Sequence, residues 1–263
     1  MFSGFASAEG SMQTDFGEQM LNTVASQSIR RMFSQSDAVD VSIRCFPSSK
    51  LLQGNVDSIK MQGRGLVIKR QFQVEEMSFE TDAIAIDFGS VLRGKIQLKQ
   101  PTQAIAQIIL SEEGINKAFN AELVTKLLDD VWLSEGTGID EPVSFDDISM
   151  KLLPNNQVEI RAKVNAPSRD TPILIAVKTG LSVERRRRLL FTEPTFLADQ
   201  IPEADQALSK QITTEFVELL NTMVDMDRFD LDGVEMRINR VETQQQQLLF
   251  SGYAQINRFP GSP

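Results

Sequence analysis

The sequence predicts an α+β protein with an antiparallel sheet. Most of the chain consists of period-two segments, and in one of them Val39, Val41 and Ile43 alternate with Asp40 and Ser42. Such alternation is typical of a half-buried strand. Helical spacing is confined to a few segments, which do not follow each strand in turn as a doubly wound parallel fold would require. The order of elements therefore favours antiparallel strands with a small number of helices.

Three regions show helical spacing of apolar residues. Region 16–33 carries an apolar stripe and follows Asp15, a residue type favoured at helix N-caps. Ser111 followed by two glutamates predicts a capped helix start, and 121–133 continues with helical spacing. The strongest stripe covers 205–223. The stripe residues are Phe16, Met20, Val24, Ile29, Met32 and Phe33 in the first region, and Leu208, Ile212, Phe216, Leu219, Leu220 and Met223 in the last.

Strands are expected between and after these helices. Residues 1–14 have the composition of a flexible tail, and 15–258 are expected to form a single domain. The connector 134–142, which contains Gly and Pro, divides this domain into two possible halves, and the pattern leaves open whether they share one sheet. The strands are placed near 39–46, 55–62, 65–69, 72–80, 82–87, 94–99, 103–110, 143–153, 157–165, 172–183, 187–192, 229–241 and 246–258.

The composition argues against most enzyme chemistry. The chain has 263 residues and no histidine, and Cys45 is its single cysteine. Histidine catalytic pairs, histidine metal sites, an internal disulfide and cysteine-rich zinc or iron–sulfur sites are therefore excluded. The sequence also lacks a glycine-rich phosphate loop. We expect a protein that is not an enzyme and needs no cofactor or metal, with a carboxylate-dependent hydrolase as the least favoured alternative.

Charge and hydropathy constrain the partners and the location. The formal net charge is −9, which disfavours nucleic acid as a partner. The N-terminal residues do not have the basic and apolar regions of a secretory signal. No apolar run approaches the ~20 residues that span a bilayer. We expect a soluble protein that stays in the cytoplasm, where it is made.

A six-residue pattern recurs in the predicted strands. It consists of an apolar residue, an acid, any residue, an apolar residue, any residue and an apolar residue. It occurs at 56–61, 145–150 and 231–236, and more loosely at 74–79. The spacing predicts a kink or bulge before a regular strand, with the acid accepting hydrogen bonds from exposed backbone N–H groups. A duplicated β-unit and ordinary strands entered through acidic turns both fit the pattern.

The strongest charged feature is a run of four arginines, Arg185, Arg186, Arg187 and Arg188. The next three residues, 189–191, are apolar. Arginines beside an apolar segment can hold lipid phosphates while the apolar side enters a membrane interface. The other interpretation is an exposed edge strand that is protected from aggregation by its charge.

Two stretches of the sequence, and the helix start after them, carry a set of short motifs. These are Phe46-Pro47, Leu51-Leu52, Gly54, Val56-Asp57 and Ile59, then Asp87-Phe88, Val91-Leu92, Gly94 and Ile96, and then Ser111-Glu112-Glu113. In their order and spacing they resemble the LmeA-like phospholipid-binding proteins, a bacterial family, over 30–165 and, more loosely, 205–258. The resemblance implies a fold like that of the tubular lipid-binding proteins, in which a strongly curved antiparallel sheet wraps around long amphipathic helices and encloses an apolar groove. For a relative without an export signal it also implies a cytoplasmic location, with membrane contact, if any, that is transient and peripheral on an internal membrane.

The resemblance leads to the main functional hypothesis. The protein is expected to bind or transfer phospholipid or glycolipid at a membrane surface, with the acyl chains buried between helix and sheet. The alternative is a protein-interaction or assembly factor that uses the same curved sheet without lipid, with an unknown protein partner. The candidate groove residues are Leu51, Leu52, Val91, Leu92, Phe119, Phe216 and Leu220, and the candidate headgroup contacts are Arg185, Arg186, Arg187 and Arg188.

Overall fold

A computed structural model gives the architecture of the protein. It describes residues 19, 21–27, 29–93, 95–224 and 233–258. Several predicted features fall outside the described residues. They are the tail 1–14, Asp15 with the beginning of helix 16–33, Met20, Gly94, and 229–232. A predicted strand and one copy of the acidic pattern begin within 229–232.

The described elements follow the predicted order of helices and strands closely. The helices are α1 (helical at 19, 21–27 and 29–30), α2 (Phe88–Leu92), α3 (Glu112–Phe119), α4 (Glu122–Leu128) and α5 (Gln206–Met223). The strands are β1 (Ala38–Arg44), β2 (Asn55–Val56), β3 (Ser58–Ile68), β4 (Phe72–Thr81), β5 (Ile84–Ala85), β6 (Thr102–Ser111), β7 (Ser144–Leu153), β8 (Gln157–Asn165), β9 (Ile173–Glu184), β10 (Arg188–Phe196), β11 (Val234–Gln244) and β12 (Gln247–Ile256).

The strands form two main sheets. The first has six strands in the order β1-β3-β4-β6-β12-β11, and the second has four in the order β10-β9-β8-β7. Every pairing among the described strands is antiparallel, which confirms the predicted α+β class. Neither described sheet is strongly curled, so the strong curvature implied by the resemblance is not confirmed. The strands are shared between two sheets, and each sheet packs against a helix of its own.

Helix α5 lies across the inner face of the four-stranded sheet. Its buried residues include Ile212, Phe216 and Leu220, which pack against alternate residues of β7 to β10. The ring of Phe216 stacks on that of Phe145 in β7, with the ring centroids 4.8 Å apart. The stripe predicted in 205–223 is confirmed, because residues spaced by four positions on a helix lie on one face.

Helix α1 covers one side of the inner face of the six-stranded sheet. Its buried residues are Leu21, Ala25 and Ile29, spaced by four positions. Val24, which the predicted stripe included, is half-buried and packs against the same core. The prediction missed Leu21 and Ala25, which are the most deeply buried residues of the helix together with Ile29.

Both edges of the six-stranded sheet are covered by other parts of the chain. At β1, the backbone N–H of Ile43 donates to the side-chain oxygen of Asn22 in α1 at 3.0 Å. At β11, the backbone N–H of Ile238 donates to the carbonyl of Arg186 in the β9–β10 turn at 2.8 Å. Both contacts occupy edge groups that would otherwise be free to pair with another chain.

The β11–β12 hairpin joins the two sheets. Val241 and Leu248, near its turn, belong to the core between α5 and the four-stranded sheet. Toward its open end, the hairpin instead forms part of the inner face of the six-stranded sheet, where its residues line a cleft. Asn156 in the β7–β8 turn holds the junction, because its side chain accepts the N–H of Thr243 and donates to the carbonyl of Val241, both at 3.0 Å.

The acidic pattern marks irregular backbone in two of its copies. Asp57 separates β2 from β3, and its carboxylate accepts the backbone N–H of Phe46 at 2.6 Å. After Asp146 the register of β7 shifts, and Asp147 has a φ angle of 50°. The predicted kink or bulge is confirmed in these copies. It is wrong for 74–79, because the register of β4 with β3 is the same on both sides of Glu75, although Glu75 itself is not paired.

The structure differs from the prediction between β5 and β6. The strand expected near 94–99 is not formed, and Leu98 makes only an isolated bridge with Ile86. Helix α2, which precedes this segment, was not predicted. Its N-cap is Asp87, whose carboxylate accepts the N–H of Gly89 at 3.0 Å. A helix of five residues is too short to show helical periodicity in the sequence.

We expect Thr243→Val to lower the free energy of unfolding by about 1–3 kcal/mol. The Thr243 hydroxyl donates to the carbonyl of Leu153 at 2.6 Å and accepts the N–H of Asn156 at 2.9 Å, in a half-buried junction. Valine keeps the shape but leaves both backbone groups without this partner. Urea unfolding followed by circular dichroism measures the effect. Thr195→Val, on an exposed position of β10, is the matched control, and equal losses in the two variants would contradict the assigned role.

Candidate functional site

The inner face of the six-stranded sheet is wider than the helix that packs on it. Six strands spaced about 4.8 Å apart extend over about 24 Å, whereas a helix with its side chains is about 10 Å across. Helix α1 covers the side formed by β1 and β3, and the core around α5 covers the turn of the β11–β12 hairpin. An apolar cleft lies on the remaining part of the face, between the end of α1 and the open end of the hairpin.

The cleft is lined almost entirely by apolar side chains. Its one polar lining residue is Ser78. The cleft encloses about 40 Å³, far below the ~300 Å³ at which small-molecule pockets begin, so an acyl chain could enter only by displacing lining side chains. The lining residues are Met32, Phe33, Met61, Met77, Ser78, Phe79, Ala106, Ile108, Val234, Met236, Ala254 and Ile256.

Small residues of the neighbouring strands β6 and β12 form the floor of the cleft. Phe79, Ala106 and Gly252 lie side by side across β4, β6 and β12, and Ala104 lies beside Ala254. A side chain at Gly252 would collide with the backbone of β11, so this strand can approach only a glycine. The face is therefore recessed between the larger residues of β4 and β11.

Methionine is concentrated at the cleft. Four of the ten methionines of the chain line it, namely Met32, Met61, Met77 and Met236. Methionine is unbranched, has three rotatable bonds and adapts to irregular partners. A wall of this composition favours rearrangement around a flexible apolar ligand.

The arginine run lies beside the strand that forms one wall of the cleft. All four arginines are exposed, in the β9–β10 turn and at the start of β10, and Arg185 and Arg186 have φ angles of 48° and 61°. The carbonyl of Arg186 accepts the N–H of Ile238, two residues from Met236 in β11. An apolar cleft and a cationic turn are thus neighbours across one edge strand.

The structure divides the predicted groove residues among several places. Leu51 and Val91 are buried in the core that includes α1. Phe216 and Leu220 are buried in the core around α5, and Phe119 is half-buried against that core. These five residues are not part of the cleft lining, and their contact with lipid stays a prediction. The cleft residues themselves were not predicted, although the small residues alternating in β6 and β12 were a usable signal.

The other two predicted groove residues, Leu52 and Leu92, are exposed at one end of the six-stranded sheet. Leu52 belongs to the 3-10 segment Ser48–Gln53, which contacts α2, and Leu92 is the last residue of α2. Phe46, just before this segment, is also exposed. The exposed fractions of Phe46, Leu52 and Leu92 are 83%, 71% and 63%. We call residues 46–57, 84–93 and 95–99 the tip.

Asp57 fixes the first loop of the tip. Its carboxylate accepts the backbone N–H of Phe46 at 2.6 Å and a hydrogen bond from the ammonium of Lys50 at 2.9 Å. These bonds, chiefly that from Phe46, hold the pKa of Asp57 below its usual value, since they favour the ionised form.

The chain matches a known protein family. A family model described as LmeA-like phospholipid-binding matches residues 12–252, which include the four-stranded sheet and nearly all of the six-stranded sheet. A search of the curated proteins found no match. In the described part of the chain, no helix combines the length and the apolar character needed to cross a membrane.

We expect a fall in pH to lower the free energy of unfolding of the wild-type protein more than that of the Asp57→Asn variant. Because the pKa of Asp57 is lowered in the native state, the native protein binds fewer protons at this group than the unfolded chain does. The contribution of Asp57 to the free energy of unfolding is complete above the unfolded-state pKa and is lost below about pH 5, as the pH falls through the lower native pKa. Urea midpoints across this range measure the difference. Asp82→Asn, at an exposed position beside the tip, should follow the wild type, and an Asp57→Asn profile that also follows it would refute the assignment.

Proposed function

The chain belongs to the LmeA-like phospholipid-binding family, and we propose that it binds phospholipid at the apolar cleft of the six-stranded sheet. In this proposal the acyl chains lie on the inner face of the sheet, and the headgroup meets the arginine turn. The protein acts without catalysis, peripherally at a membrane surface, as a binding or transfer protein.

One observation carries the proposal: the edge strand β11, which lines the apolar cleft, also contacts the cationic turn. Phospholipids combine long apolar chains with an anionic phosphate, so a site for them needs both surfaces in contact. Burial of an acyl chain stabilises the complex by about 0.8 kcal/mol per CH₂, and arginine forms bidentate hydrogen bonds with phosphate. Met236 in the cleft and the backbone contact of Ile238 with Arg186 lie two residues apart on β11.

Because the empty cleft is small, an acyl chain must enter it by displacing some of the side chains that line it. Met77, Phe79 and Met236 are only half-buried, so their side chains can move outward at a lower cost than fully buried ones. An acyl chain would then replace them on the floor formed by Ala106 and Ala254. The apolar area gained by the lipid offsets the cost of moving these side chains.

We expect native mass spectrometry of gently purified protein to show a discrete added mass that solvent extraction identifies as phospholipid. Ala106→Leu with Ala254→Leu should reduce the lipid-bound fraction strongly, because the larger side chains fill the floor of the cleft. Overpacking also destabilises, by about 1–3 kcal/mol. Ala162→Leu, at a buried alanine of β8 in the other core, is therefore the control for stability.

The outcome that contradicts this proposal is a wild-type protein that stays lipid-free after incubation with phospholipid vesicles. That result would favour the alternative of a protein-interaction factor. The observation that supports this alternative is a group of exposed apolar residues at and just after α4. Leu123, Leu127 and Trp132 have exposed fractions of 50%, 46% and 68%. A stoichiometric partner retained after lipid removal would identify that function.

We expect Arg185→Glu with Arg186→Glu to reduce the retention of phosphatidylglycerol more than that of phosphatidylcholine. The two substitutions reverse the charge beside the cleft, which repels an anionic headgroup. Lys69→Glu with Arg70→Glu is a matched control, because these residues form the β3–β4 turn with similar φ angles of 50° and 61° and are also exposed. Equal retention by both double variants in a lipid-competition assay would remove the arginines from the site.

A further inference from the structure

The exposed large apolar side chains of the described residues are unevenly distributed. There are seven of them, and three, Phe46, Leu52 and Leu92, lie on adjoining segments of the tip. Single exposed apolar residues are common on soluble proteins, but a group of three at the end of a sheet is a recognised sign of an interaction surface.

Buried residues and hydrogen bonds anchor the tip to the core, so the exposure of its three apolar side chains is a property of the folded protein. Leu51 and Val91, the residues just before two of the exposed leucines, are buried at 3% and 1% and anchor the 3-10 segment and α2 in the core. The N–H of Ile86 donates to the carbonyl of Gly54 at 2.7 Å, and the ammonium of Lys99 donates to the carbonyl of Gln53 at 3.2 Å. The apolar side chains therefore project from a rigid base.

The charge of the tip is opposite to that of the whole chain. The tip contains four basic residues and two acidic ones, a balance of +2 in a chain whose net charge is −9. Lys95 and Lys99 are exposed and form no salt bridge with any residue that the structure describes. A cationic rim around apolar side chains matches the surface of an anionic bilayer, whose phosphates surround an apolar interior.

The tip and the cleft lie at the same end of the six-stranded sheet. The tip precedes the start of β3 and the start of β6. The register pairs Thr102, at the start of β6, with Ile256, and Ile256 with Val234. Ile256 and Val234 both line the cleft. A membrane in contact with the tip would therefore be near the end of the cleft.

We propose that the tip is the surface by which this protein docks on an anionic phospholipid bilayer. Phe46, Leu52 and Leu92 enter the interface between headgroups and acyl chains, while Lys95 and Lys99 contact lipid phosphates. This inference rests on the proposed phospholipid-binding function, and it adds the place and orientation of membrane contact.

Flotation with vesicles of phosphatidylcholine containing phosphatidylglycerol tests the proposal. Leu52→Asp with Leu92→Asp should lower the vesicle-bound fraction at least about tenfold, because two charges replace the inserted side chains. Phe46→Ser is a second variant and should lower binding in the same direction. Ile105→Asp, at a residue 75% exposed on the outer face of β6, is the matched control and should float like the wild type. Circular dichroism establishes that each variant is folded.

A second readout separates docking from lipid binding. Short-chain phosphatidylglycerol, supplied below its micelle concentration, reaches the cleft without a bilayer, and native mass spectrometry measures its uptake. Tip variants that lose flotation but keep this uptake support the proposal. Wild-type protein that does not float, or tip variants that float as well as Ile105→Asp, would overturn it. Wild-type protein that floats through the tip but takes up no lipid would instead remove the proposed function of the cleft.

Discussion

The width of the six-stranded sheet is the constraint on which the rest of the structure depends. A helix can shield about two strands, so one helix leaves much of the inner face of this sheet uncovered. Helix α1 shields one side, and the core around α5 reaches the other through the β11–β12 hairpin. The cleft is the strip that neither covers. Its alanines, Ala106 and Ala254, keep the strip recessed, so that the apolar surface left there is small in the empty protein.

Much of the fold could be predicted because it depends on local patterns. The alternation in β1, the capped start at Ser111 and the stripe of α5 are each encoded within 20 residues or fewer. The division into two sheets could not be predicted, because β6 pairs with β12 across a long stretch of intervening sequence. Strand pairing of this kind is set by packing of distant side chains, which a single sequence does not display.

The site was less predictable than the fold. The arginine turn was found because four like charges in a row are visible without knowledge of contacts. The cleft was missed because its lining comes from the end of α1 and five different strands, with only a few residues from each. Motif residues such as Leu51 and Val91 proved to be anchors of the tip and not part of the cleft. A short motif often preserves the packing that positions a site, and the site itself can lie elsewhere.

The shared hairpin has a consequence for how the protein responds to a ligand. Val241 and Leu248 are packed in one core while the other end of the same hairpin borders the cleft. Because apolar surface at this hairpin is shared, opening one core exposes part of the other, and we expect the two to unfold together. A ligand that stabilised the six-stranded sheet would then slow amide hydrogen exchange in β7 to β10 as well, in strands that it does not touch.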